Sequence, residues 1–175
     1  SKKMMTYAWN TMKELEAKAH QLNEGKTIEI PNKRFVISLI SDYLRLFKKT
    51  PTVYQPEVTS KGTLLVSQLS KTKGNKVSAD LALTTRRFID SVRQTNSFKD
   101  NPKLSPNQET YRKVADALRG ILSKNIEGLG DVMHRYSVHI GAFKDLSKYA
   151  EKTQNKELLD LIDIFLVFGI DPTAY

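Results

Sequence analysis

Residues 155–170, NKELLDLIDIFLVFGI, constrain the fold more than any other stretch. Leu158, Leu159, Leu161, Ile162, Ile164, Phe165, Leu166, Val167 and Phe168 form a helix-length run that is apolar on nearly every side toward its end. A helix of that kind needs other helices around it. Asn155 is placed to cap its start, and Glu157 suits the positive end of the helix dipole. Gly169 followed by Ile170 predicts a left-handed stop, and Pro172 forbids continuation. A membrane span needs about 20 apolar residues. Asp160 and Asp163 interrupt this run. The expectation is a central core helix in an all-α protein, with no membrane partner.

The rest of the chain supports a compact multi-helix bundle of about seven helices. Met5, Ala8, Met12, Leu15, Ala19 and Leu22 recur every three or four residues, which predicts a helix over 5–24 ended by Gly25. Thr27 to Ile30 alternates and reads as extended, although no strand is firmly indicated. Pro31 and Asn32 open a second helix whose wide apolar face holds Phe35, Val36, Leu39, Ile40, Tyr43 and Phe47. Residues 51–56, PTVYQP, read as an extended connector. A short amphipathic piece, 59–69, is anchored by Leu64, Leu65 and Leu69. The cationic loop 70–76, SKTKGNK, is the best candidate for a mobile segment.

Ser78 is placed to cap the next helix, with Leu81, Thr85, Phe88 and Val92 on one face. Residues 94–106 read as a loop. Ser105, Pro106 and Gln108 spell a capping box for the following helix. That helix turns Tyr111, Val114, Ala115, Leu118, Ile121 and Leu122 inward. Gly128 and Gly130 precede a helix from about Asp131 to Glu151, with Gly141 as a candidate kink. Two arrangements fit this order: one domain, or two helical lobes spanning 1–70 and 77–175.

The formal net charge is +9. Such a surplus favours an anionic partner, nucleic acid first. The charge is sorted along the chain: ten basic and three acidic residues lie between Arg45 and Arg93, whereas the last stretch from Asn155 is acidic. There is no cysteine, which removes disulfides, thiol catalysis and cysteine-ligated zinc. His134 and His139 are five apart, about 140° around a helix, so they cannot share a metal. His20 has no partner at metal-ligand spacing. No nucleophile–base spacing stands out, and Lys73-Gly74-Asn75-Lys76 lacks the pattern of a phosphate-binding P-loop. No cofactor and no enzymatic role are expected.

The expected function is therefore non-enzymatic binding of RNA or DNA through the phosphate backbone. The candidate contacts are Lys71, Lys73, Lys76, Arg86, Arg87, Arg93, Arg112 and Lys113. Arg86 and Arg93, seven apart, are expected on an outward helix face, with Asp90 in reach of Arg86. Tyr54 and Tyr111 are candidates to stack on unpaired bases. The alternative is a protein adaptor or a self-assembling structural subunit, since a basic middle and an acidic, apolar tail permit association with itself or with other protein subunits. In composition alone, with no motif to carry it, the chain is similar to small helical subunits of viral or CRISPR-type nucleoprotein assemblies. No secretory pattern follows the basic start, which gives the expectation of an intracellular site, cytoplasmic or virion-associated. Ser1 in place of a start methionine gives the further expectation of a domain cut from a longer chain.

Overall fold

Met5, Ala8, Met12, Leu15 and Ala19 become the buried face of α1, Lys2–Asn23. The computed structural model describes residues 1–47, 55–94 and 108–167, and leaves out the side chains of 47, 55–58, 93, 94, 166 and 167. Among the described residues the chain is an all-α protein of seven helices with one very small sheet. After α1 come β1 (Thr27–Glu29), α2 (Lys33–Phe47), α3 (Gln55–Lys71), β2 (Lys76–Ser78) and α4 (Ala79–Gln94). Then follow α5 (Gln108–Asn125), α6 (Leu129–Thr153) and α7 (Lys156–Val167). The capping box at Ser105, Tyr54 and most of the 94–106 loop lie outside the described residues.

The chain divides into two compact units. One combines Ser1–Leu22 with the described residues from Glu127 onward, and the other is Asn23–Ile126. The boundary expected between residues 70 and 77 falls inside the second unit. The physical reason is the antiparallel pairing of β1 with β2, Ile28 opposite Val77, which ties the two sides of that boundary together.

In the first unit, Trp9 of α1 stacks on Phe165 of α7 at 4.5 Å, and Phe143 of α6 lies 6.0 Å from both rings. Gly128 starts α6 with φ 83°, a left-handed geometry that favours glycine. Asn155 caps α7 as expected: its Oδ1 accepts from the Leu158 N–H at 3.2 Å. The expectation of a central, enclosed α7 is corrected, however. Leu158 and Phe165 are buried, Leu159, Leu161 and Ile162 are half-buried, and Ile164 is exposed. α7 packs with one face against its unit, and Asp160 and Asp163 mark the open side.

The enclosed helix is α4, in the second unit. It packs on α3, α5 and both strands. Ala79, Ala82, Leu83, Thr85, Phe88, Ile89 and Val92 are all buried. Ser78 caps it, accepting from the Leu81 N–H at 3.1 Å. Asn32 caps α2 in the same way through the Phe35 N–H. α3 is longer than the expected 59–69 piece, because Gln55 and Pro56 already belong to its first turn, where proline loses no hydrogen bond. Phe35 and Leu64, expected as core anchors, are exposed. Gly62 lets α3 approach closely: a Cβ there would sit 2.7 Å from Leu44 Cδ2 and 3.0 Å from Phe88 Cζ.

Candidate nucleic-acid interface

The three lysines expected to contact phosphate lie at the end of α3 (Lys71), in the turn that follows (Lys73) and at the start of β2 (Lys76). Lys71, Lys73 and Lys76 are all exposed. Gly74 makes the turn with φ 59°. The segment expected to be mobile is tied to the start of α2. Asn75 accepts from the Lys33 N–H through Oδ1 at 3.1 Å, and from the Ile30 N–H through its carbonyl at 3.0 Å. Lys33 is buried, and its ammonium donates to the Thr72 hydroxyl at 2.8 Å and to the Thr72 carbonyl. A cation there also faces the negative end of α3. The loop is thus fixed with its lysines outward, beside the exposed Arg34 in the first turn of α2. Lys76 lies opposite Glu29 in the sheet register, so part of its charge has an acidic neighbour.

The arginines do not join this surface as a set. Arg86 is only 4% exposed, so its expected outward position is corrected. It donates to Asp90 Oδ2 at 2.8 Å, and Asp90 is itself buried. Arg119 reaches the same oxygen from α5 at 3.4 Å. Burial lowers the Arg86 pKa to about 10 despite the adjacent carboxylate, and the nearby Arg119 and Arg87 push in the same direction. The cause is α5, which covers the face of α4 that the spacing of Arg86 and Arg93 marks as outward. Arg87 is half-buried, and the Arg93 side chain lies outside the described residues.

On α5, Arg112 and Lys113 are exposed. Arg112 is engaged by Glu109, and Asp116 Oδ2 accepts from its Nη1 at 3.1 Å. These carboxylates, the Glu109 hydrogen bond first, raise the Arg112 pKa. Its charge is therefore partly matched at home. Tyr111 is not a stacking platform: it is buried, its hydroxyl donates to the Leu39 carbonyl at 3.2 Å, and its ring meets Tyr43 edge-on at 6.1 Å. Burial raises its pKa well above the usual phenol range.

The distribution of charge over the two units was not visible from the sequence alone. Asn23–Ile126 holds 19 of the 28 Lys and Arg but 9 of the 19 Asp and Glu, a net charge of +10. The remainder of the chain holds 9 against 10, a net charge of −1. The whole basic surplus belongs to the second unit.

Among the described residues no group of His, Asp and Glu is arranged to hold a metal, and no helix is long and apolar enough to cross a membrane. His20 sits 3.2 Å from Glu16 one turn away, and His139 meets the ring of Tyr7 edge-on at 5.7 Å. No protein-family profile, curated protein sequence or solved structure matches this chain.

Proposed function

We propose that this chain binds nucleic acid non-enzymatically, through phosphate contacts made by the second unit. One observation carries the reading: the second unit has a net charge of +10 and the first has −1. A basic charge kept only for solubility has no reason to collect in one unit, whereas a polyanion partner rewards that concentration. The loop lysines Lys71, Lys73 and Lys76 are the principal contacts, with Arg34 and Lys113 as further exposed cations. Phosphate contacts of this kind carry no base code, so RNA and DNA of unrelated sequence bind with similar affinity.

The test is binding of single- and double-stranded RNA and DNA to the purified protein at several salt concentrations. The parent binds at low salt, with affinity falling steeply as salt rises. Replacing Lys71, Lys73 and Lys76 together with Ala weakens all sequences alike and flattens the slope of log affinity against log salt by roughly two units. No binding by the parent at low salt overturns the proposal. Unchanged affinity in the triple variant removes the loop from the site.

The reading as a protein-assembly subunit has its own support in the first unit, where Met4, Tyr7, Val138 and Tyr149 are exposed.

A further inference from the structure

Phe35 stands in the first turn of α2 and is 45% exposed. At about 100° per residue it falls beside the exposed Ser38 and Asp42, off the face that Val36, Ile40 and Tyr43 bury. The other aromatic side chains described in the second unit, Tyr43, Phe88 and Tyr111, are all buried. The first turn of α2 is also joined to the cationic loop. Asn32 Oδ1 accepts from the Phe35 N–H at 3.1 Å, Asn75 Oδ1 accepts from the Lys33 N–H at 3.1 Å, and the Lys33 ammonium holds the Thr72 hydroxyl at 2.8 Å. Helical side chains lean toward the N-terminus, which here is the end that the loop crosses. Arg34, exposed, precedes Phe35 in the same turn. Asp42 lies about two turns further along α2, where Arg45 engages it at 3.5 Å.

We propose that the nucleic acid held by this unit is single-stranded, and that Phe35 stacks on one of its unpaired bases while Arg34 and the neighbouring lysines hold the flanking phosphates. The inference rests on the nucleic-acid function proposed above and adds the class of strand. Bases in a duplex are already paired and stacked, so a ring outside it does not reach their faces. An unpaired base offers a free face to an aromatic side chain. Every base has such a face, so the stack adds affinity without reading sequence. Phosphate contacts alone favour the duplex instead, because its charge is denser along the axis. A preference for single strands is therefore the mark of the ring.

The test compares oligo(dT) with a DNA duplex of the same length at low salt. The parent binds oligo(dT) the more tightly. Phe35→Ala loses at least about fivefold on oligo(dT). Its duplex affinity and its salt slope stay as in the parent, since stacking releases no counterions. Leu64→Ala, which trims another exposed apolar side chain, changes neither affinity. The chain has one tryptophan, Trp9, buried in the first unit. Phe35→Trp keeps a stacking ring, and its added fluorescence is quenched by oligo(dT) and not by duplex. Phe35→Ala that binds oligo(dT) like the parent overturns the inference, as does an equal loss on duplex, or an unquenched Phe35→Trp that still binds. In each of these cases binding by the parent, weakened when Lys71, Lys73 and Lys76 are replaced, leaves the proposed function standing. A parent that binds neither oligonucleotide overturns both.

Discussion

Arg86 donates to Asp90 one helical turn away, at 2.8 Å, and both side chains are almost sealed from water. The pair holds α4 to α5, because Arg119 of α5 shares the same carboxylate oxygen. Removing one partner strands the other charge in a dry site. Asp90→Ala should therefore destabilise the protein by about 3–5 kcal/mol. Replacing both, Arg86→Met with Asp90→Leu, should cost much less, since no buried charge is left unmatched. Urea denaturation of the single and double variants checks this. A double variant no better than Asp90→Ala would show that the pair itself, and not its isolation, sets the cost.

Gly62 gives a second test of the same unit. A methyl group there sits 2.7 Å from Leu44 Cδ2, a distance real Cβ atoms essentially never show, and a tight 3.0 Å from Phe88 Cζ. Overpacking of this kind costs about 1–3 kcal/mol. The better helix propensity of alanine returns up to about 1 kcal/mol. Gly62→Ala should thus lower the melting temperature by a few degrees. A rise would mean that Leu44 swings clear without loss.

In the first unit, the Trp9–Phe165 stack links α1 to α7. Phe165→Ala should cost about 3–5 kcal/mol by thermal or chemical denaturation. Leu161→Ala should cost about half as much, because Leu161 is only half-buried. Equal costs would restore the picture of an enclosed α7.

Much of this architecture was legible in the spacing of residues. The 3–4 rhythm from Met5 to Ala19 fixed the inner face of α1, and Ser78, Asn32 and Asn155 each cap the helix their chemistry suits. Centrality was not legible. The most apolar helix, α7, lies with one side open, while α4 is enclosed although it carries Thr85, Arg86 and Asp90. Hydropathy records what a helix can bury, but the number of its neighbours depends on the pairing of β1 with β2 and on the seating of α5, and both are long-range. The site followed the same division. The exposure of Lys71, Lys73 and Lys76 was legible because a short polar loop stays outside whatever packs around it. Arg86 was misplaced because a charge on the apparent outer face was read as exposed, while Asp90 provides for it inside. Lys33 was missed, since nothing local marks a lysine whose partner lies 39 residues away at Thr72.

Lys33 also supplies the last prediction. Its ammonium bonds to Thr72 in a nearly closed setting, which holds the loop that presents Lys71, Lys73 and Lys76. Hydrogen bonds from a charged donor are worth about 1.5–3 kcal/mol. Lys33→Met keeps the stem's packing and removes those bonds. Stability should fall by about that amount, and exchange of the Ile30 and Lys33 amide hydrogens should speed up, because both donate to Asn75 in the loop. Nucleic-acid affinity should fall modestly, from looser presentation of the lysines. The salt slope should stay nearly unchanged, since the number of phosphate contacts is the same. A slope flatter by close to one unit, with normal amide protection, would instead make Lys33 a phosphate contact in its own right.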